Sequence, residues 1–222
     1  MSTQGVGYKP TACKALACYR RESLFIRLFT LARHLLAPLD RVALEVPNSG
    51  RILDLGCGHG LFTNLLALGS GERQILGVDP SREKLAVARR SSANLSTVRY
   101  LEGRIEDVSD KGFDAITILD VLYLLPDQVK LGVLRRCREL IGPHGLVLVK
   151  TNDTRPLWQF SIVRIEEELM VRVLSLTMGG ELHFRGVDEY CSIIRAAGFE
   201  PSVDYLDSRL PIPHRLYICR PA

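Results

Sequence analysis

The sequence is short of the features that would place it in a membrane, a secretory route or a disulfide framework. Its most apolar stretch, Leu24 to Leu39, is broken by Arg27, Arg33 and His34, too short and too charged to span a bilayer. The polar, glycine-bearing start, Met1 to Pro10, has no apolar h-region, so no secretory signal is expected. The six cysteines (Cys13, Cys18, Cys57, Cys137, Cys191 and Cys219) form no CxxC pair, and several fall inside predicted helices or strands. Reduced thiols in a cytoplasmic protein are expected, with neither disulfides nor a structural zinc site. No internal repeat, low-complexity tract or collagen-like period is present. Net positive charge is confined to one segment. Residues 1–46 carry seven Lys and Arg against three Asp and Glu, whereas residues 47–222 carry 22 of each. A main domain with no net charge argues against a grip on nucleic acid.

What is present is an ordinary globular composition, 46% hydrophobic and 24% charged, over 222 residues. That suffices for one α/β domain with a full core. Residues 19–37 read as an amphipathic helix. Leu24, Leu28, Leu31 and Leu35 share one face, Phe25, Phe29 and Leu36 lie beside them, and Ser23, Arg27, Thr30 and His34 lie opposite. From residue 51 strands and helices alternate. Strands are expected at Arg51–Leu55, Gln74–Val78, Val98–Leu101, Phe113–Leu119 and Gly145–Lys150, with helices at 60–69, 82–92 and 127–140 between them. An amphipathic helix over 156–176, a helix over 187–197 and two strands, Ser202–Leu206 and Arg215–Cys219, complete the chain. This is a doubly wound, mostly parallel, seven-stranded α/β sheet. Residues 1–46 are expected to form an N-terminal helical lid segment. Residues 47–222 form the main domain, with the helix at about 156–176 inserted after strand five.

The most informative stretch is Ile52-Leu-Asp54-Leu-Gly56-Cys57-Gly58-His59-Gly60, where the first strand turns into a helix. Glycines there let the backbone turn sharply and approach a ligand closely. The pattern is GxGxG. A dinucleotide fingerprint would need glycine at position 61, which is Leu61, and no GK[ST] follows for a phosphate loop. Asp54, at the strand end, would repel a pyrophosphate and attract an ammonium or sulfonium cation. Asp79 closes the second strand and is placed to accept hydrogen bonds from both hydroxyls of a ribose.

In order and spacing, ILDLGCGHG, GVDP, GRIEDV and FDAITILDVLYLLP resemble the class I, Rossmann-like S-adenosylmethionine-dependent methyltransferases. The resemblance covers about residues 50–150. It implies S-adenosylmethionine as cofactor, S-adenosylhomocysteine as product and no metal. By that resemblance Asp54 and the loop Gly56, Cys57, Gly58 and Gly60 hold the methionine end. Asp79 holds the ribose, Pro80 lines the adenine pocket, Ile105 and Glu106 approach adenine, and Asp120 lies near the methionine moiety. Arg104 is a departure, because many relatives place Asp there.

Methyl transfer from a sulfonium is an in-line displacement that chiefly needs alignment, with a proton removed from the acceptor where necessary. The acceptor pocket is expected at the carboxyl ends of strands four and five. Tyr123, Asn152, Trp158, His183 and Arg185 are its candidate lining. His183 is the first choice of general base, against a plain surface or capping role, and Tyr123 is a catalytic-side residue more suited to a pocket wall. Arg185 would bind an acidic acceptor or make a plain salt bridge. His59 reads as a cofactor-side residue, and His34, His144 and His214 as structural. There is no [DN]PP[YFW] after strand four, which lowers a nucleic-acid base as acceptor. The expected acceptor is a small, apolar or lipid-like metabolite methylated on oxygen. The competing readings are an RNA or protein methyltransferase and a non-catalytic scaffold. The N-terminal helix is expected to cover the cofactor site with its leucine face inward, or to touch a membrane surface.

Overall fold

The computed structural model describes residues 8–154, 183–207 and 212–222. The expected inserted helix at 156–176, with Trp158, lies outside them.

Three helices open the described chain: α1 (Tyr8–Ala17), α2 (Leu24–Leu36) and α3 (Leu39–Glu45). The expected helix over 19–37 is shorter in the structure, beginning at Leu24, and α1 is an additional helix. Pro10 looks like a breaker. It stands in the first turn of α1, where its missing N–H has no intrahelical acceptor to lose. The chain then turns through Cys18–Ser23. The Ser23 hydroxyl caps α2 by accepting from the Ile26 N–H at 3.4 Å, and Pro38 follows the C-cap Ala37.

The alternating part is β1 (Gly50–Leu55), α4 (Leu61–Gly69), β2 (Arg73–Asp79), α5 (Arg82–Ser91), β3 (Val98–Glu102), β4 (Phe113–Leu119), α6 (Asp127–Leu140), β5 (Ile141–Asn152), α7 (Val187–Ala196), β6 (Phe199–Leu206) and β7 (His214–Pro221). The seven strands form one sheet in the order β3-β2-β1-β4-β5-β7-β6. Only β7 runs against its neighbours. The expected fold class and strand count are therefore present. The largest difference is β5, which starts at Ile141 rather than Gly145. Phe113 pairs with Ile141 and Ala115 with Leu146, so Gly142–Gly145 loops out between them.

The sheet is covered on both faces, which is why β4 and β5 read as continuous apolar runs. Along β5 the side chains alternate by strand period. Val147 and Val149 join the core under α6 and α7, and Leu146 and Leu148 the core under α1, α3 and α4. Arg73 is fully buried at the start of β2. Its guanidinium donates to the carbonyls of Val46, Pro47 and Leu66 and to Asn48, tying the α3–β1 connection to α4. The order reverses where β1 lies between β2 and β4. That switch point, at the strands' carboxyl ends, is where such sheets place ligands.

Candidate active site

A cavity of about 610 Å³ opens at the switch point, within the range of small-molecule sites. Its floor is the β1–α4 loop. Gly56, Gly58 and Gly60 all have positive φ, at 74°, 54° and 80°. They serve different ends. A Cβ on Gly60 would stand 2.6 Å from the Tyr100 hydroxyl and 3.0 Å from the Ala88 Cβ, so this glycine lets α4 pack on its neighbours. A Cβ on Gly58 would meet nothing within 4 Å, so this glycine leaves the cavity open.

Asp54 is buried below the loop. Its carboxylate accepts hydrogen bonds from Thr63 Oγ1 at 2.6 Å and Thr117 Oγ1 at 2.9 Å. Burial pushes its carboxyl up to about 6 despite those hydroxyls, and the nearby Asp79 adds to the rise. An anion so placed gains from a cationic ligand. Asp79 is engaged with the loop itself: Oδ2 accepts from the Gly58 N–H and Oδ1 from the Ser81 N–H, each at 2.9 Å. Each oxygen retains a lone pair for a further donor. Pro80, Ile105 and Glu106 line the same end of the cavity, as does Arg104, and Cys57 lies in the floor. His59 also lines it, edge-on to Phe29 at 5.1 Å between ring centres. Burial pulls its imidazole down to about 4, so it stays neutral.

Asp120, just past β4, is the only non-glycine residue with positive φ among the described residues, at 58°. Such strain persists where surrounding contacts impose it. Its Oδ1 accepts from Lys150 Nζ at 2.7 Å and its Oδ2 from Arg33 Nη2 at 2.5 Å. Burial alone would raise this carboxyl, but Lys150 and then Arg33 outweigh it and bring it down to about 2.

The predicted acceptor residues divide. Tyr123 is buried, lines the cavity and stacks on Phe184 with ring centres 4.7 Å apart. His183, Asn152 and Arg185 do not line the described cavity. His183 is half-buried; its backbone N–H donates to the Tyr123 carbonyl at 2.7 Å, and its own carbonyl accepts from Lys130 Nζ. Asn152 is a buried strut between Lys150 Nζ, at 3.4 Å, and His214 Nδ1, at 2.8 Å. Arg185 makes the plain salt bridge, with Nε and Nη2 both on Asp127 Oδ2 at 3.0 and 2.7 Å.

The inward face of α2 is a correction. Leu24, Leu28, Leu31 and Leu35 point away from the domain, while Thr30 is buried and Phe29, Arg33 and Leu36 line the cavity. Arg33 turns inward because it meets Asp120 there, and Thr30 can be buried because its Oγ1 donates to the Ile26 and Arg27 carbonyls of its own helix.

Sequence reasoning missed Arg33, Lys150 and Tyr19, and it reads His214 as structural. Lys150 carries a signal, as a lysine closing a buried apolar strand. His214 Nε2 lies 2.9 Å from the Leu36 carbonyl, joining β7 to the end of α2; burial and then Lys150 bring its imidazole down to about 3. Tyr19 is fully buried; its hydroxyl donates to the His59 carbonyl at 2.8 Å and accepts from Asn64 Nδ2. The segment before α2 thus buttresses the glycine loop.

A methyltransferase-domain family model matches residues 52–145, the stretch that builds this floor and wall. A ubiquinone biosynthesis O-methyltransferase from Cereibacter sphaeroides is 30% identical over 181 residues, 79% of this chain and 71% of that protein. The chain belongs to the S-adenosylmethionine-dependent methyltransferase family. A relative of the same name from Xanthomonas campestris is 34% identical over 149 residues, 64% of this chain. The chain spans about 60% of that methyltransferase's length. Among solved structures, the pyocyanin biosynthetic protein superposes with a TM-score of 0.72 at 19% identity, over 92% of this chain and 60% of that one, a likeness of fold. Among the described residues no group of side chains is arranged to hold a metal ion, and no helix is long and apolar enough to cross a membrane.

Proposed function

We propose that this methyltransferase binds S-adenosylmethionine and transfers its methyl group to an oxygen of a small, largely apolar acceptor. The observation that carries the reading is the pairing of a buried carboxylate, Asp54, with a left-handed glycine floor open to the cavity at Gly58. An anion beneath a backbone that lets a ligand approach closely suits a cationic ligand end. Asp79 and Pro80, at the end of β2, suit the ribose and adenine, with Ile105 and Glu106 beyond. When bound, the cofactor supplies an electrophilic methyl carbon on a sulfonium.

The chain's own task is then alignment and exclusion of water. Phe29 and Leu36 from α2 and Tyr123, Leu124 and Leu125 beyond β4 give the other half of the cavity an apolar wall. That wall favours a small apolar molecule. The preference for oxygen comes from the names of the relatives. Residues 1–46 act as a lid, with α2 held over the cavity by the contacts of Arg33 to Asp120 and of Leu36 to His214. His183 is the proposed general base; it stands outside the described cavity wall and is tied to Tyr123 of that wall by the backbone hydrogen bond between them. The His183→Ala variant is expected to lower turnover about 10²–10⁴-fold with cofactor affinity retained. Near wild-type turnover would make the residue structural.

The test of the function is incubation with labelled S-adenosylmethionine and a metabolite extract, with products read by mass. A labelled small-molecule product supports the reading. Label appearing only in added RNA or protein would overturn the acceptor class.

A further inference from the structure

Helix α2 has an unusual distribution of exposure. Leu24, Phe25, Leu28, Leu31 and Leu35 are exposed by 66, 46, 57, 41 and 39%. Among the described residues only three other large hydrophobic side chains are comparably open: Val129, Val203 and Tyr205. Positions 24, 28, 31 and 35 follow the i, i+4, i+7, i+11 spacing of a single helical stripe. Exposing that much apolar surface on one line is costly unless something covers it.

The margin of the stripe is basic. Arg27 is exposed on α2, and Arg20 and Arg21 are exposed in the turn just before it. Glu22, the one acidic residue between positions 18 and 36, is taken by Arg90, whose Nε and Nη2 lie 2.9 and 2.7 Å from its two oxygens. The three arginines at the stripe are therefore not offset by their nearest acid.

We propose that this face of α2 docks on the surface of an anionic phospholipid bilayer. The helix lies in the plane of the interface, its leucines among the acyl chains and Arg20, Arg21 and Arg27 among the headgroups. A second copy of the chain fits the surface less well. A specific interface takes about 800 Å² from each partner, whereas the stripe is about 16 Å long and one helix face wide. A bilayer needs no complementary pocket, and its negative charge matches the rim. The opposite face of the same helix carries Phe29, Arg33 and Leu36 into the cavity wall. Docking therefore sets the cavity about one helix diameter, roughly 10 Å, from the lipid. The exposed stripe and its basic margin are independent of the reaction proposed above.

The experiment is co-sedimentation of the full chain with phosphatidylcholine vesicles, with and without one third phosphatidylglycerol. Wild type, L28E/L31E and R20Q/R21Q/R27Q are compared, with heat unfolding and sedimentation equilibrium run on each without lipid. Wild type is expected to sediment with the anionic vesicles and to be released by high salt. L28E/L31E should fall to background. The triple arginine variant should bind about a hundredfold more weakly, roughly fivefold per arginine. Both variants should keep the wild-type unfolding temperature and oligomeric state, since the altered side chains are exposed. Three results would overturn the proposal: wild type that ignores anionic vesicles or binds neutral ones equally, a wild-type dimer that L28E/L31E splits, or an unfolding temperature that drops in L28E/L31E because the chain itself covers the face.

Discussion

At the residue scale, the three glycines of the β1–α4 loop make separable predictions. Alanine at position 58 places its methyl in open space on the cavity side, at a modest cost of about 1–2 kcal/mol for the left-handed backbone. Gly58→Ala is therefore expected to fold and to lose cofactor affinity, measured by titration calorimetry. Gly60→Ala drives its methyl toward Tyr100 and Ala88 and is expected chiefly to lower the unfolding temperature. If Gly58→Ala binds the cofactor as wild type does, the floor is misassigned. Asp79→Ala should weaken cofactor binding by about 1–3 kcal/mol, the scale of hydrogen bonds to a charged group. Because Asp79 also accepts from the Gly58 and Ser81 N–H groups, some of that loss is loosening of the loop. Asp79→Asn, which keeps an acceptor oxygen, should recover part of it. The chemistry of this loop was legible in the sequence because its spacing is local: Asp54, three glycines and a strand end lie within seven residues. The partners of Asp120 were not, since Arg33 and Lys150 are 87 and 30 residues away and only the fold brings them together.

At the element scale, α2 shows why periodicity finds a helix more readily than it finds the helix's orientation. The leucine stripe identifies the element, and burial of apolar area would turn that stripe inward. The opposite face goes in because it carries Arg33 and Phe29, for which the domain has partners in Asp120 and His59, and Thr30, whose hydroxyl is satisfied by the Ile26 carbonyl of its own helix. Arg33 is then expected to compete with a ligand's ammonium group for Asp120. Arg33→Gln should tighten S-adenosylhomocysteine binding by about fivefold to tenfold, and should leave 5′-methylthioadenosine, which lacks the amino-acid end, unchanged. Weakening of both ligands would mean that Arg33 only holds the helix in place. The β strands were the most legible elements. Phe113–Leu119 and the helix Asp127–Leu140 stand where the sequence places them, because both lie in the sheet and its covering layer, where apolar pattern and burial agree.

On the scale of the whole molecule, the buried ionisable groups set opposite responses to acid. His59 and His214 titrate near 4 and 3 in the folded chain and near 6.5 when unfolded. Between about pH 4 and 6.5 the unfolded chain therefore binds more protons, so stability falls as pH is lowered through that window. Chemical denaturation across it should show the fall, with a shallower slope in His214→Gln; an unchanged slope would contradict the neutral, buried assignment. Asp54 acts the other way. Its folded carboxyl, near 6, lies above the unfolded one, so its contribution to stability is greatest in acid and is lost as pH rises through 6. A cation held above Asp54 prefers the ionised form. Cofactor affinity is accordingly expected to decline as pH falls below about 6, before the protein unfolds. Calorimetric titrations at a series of pH values would read this, and affinity that rises in acid would place the cationic end of the ligand elsewhere.

A cavity floored by Asp54 and the glycine loop should take a sulfonium nucleoside rather than a dinucleotide. The direct measurement is calorimetric titration of the full chain at neutral pH with S-adenosylmethionine and, separately, with NAD. The predicted result is saturable binding of S-adenosylmethionine at one site per chain, weakened by Asp79→Ala, with no saturable binding of NAD. Binding of NAD more tightly than S-adenosylmethionine would contradict it.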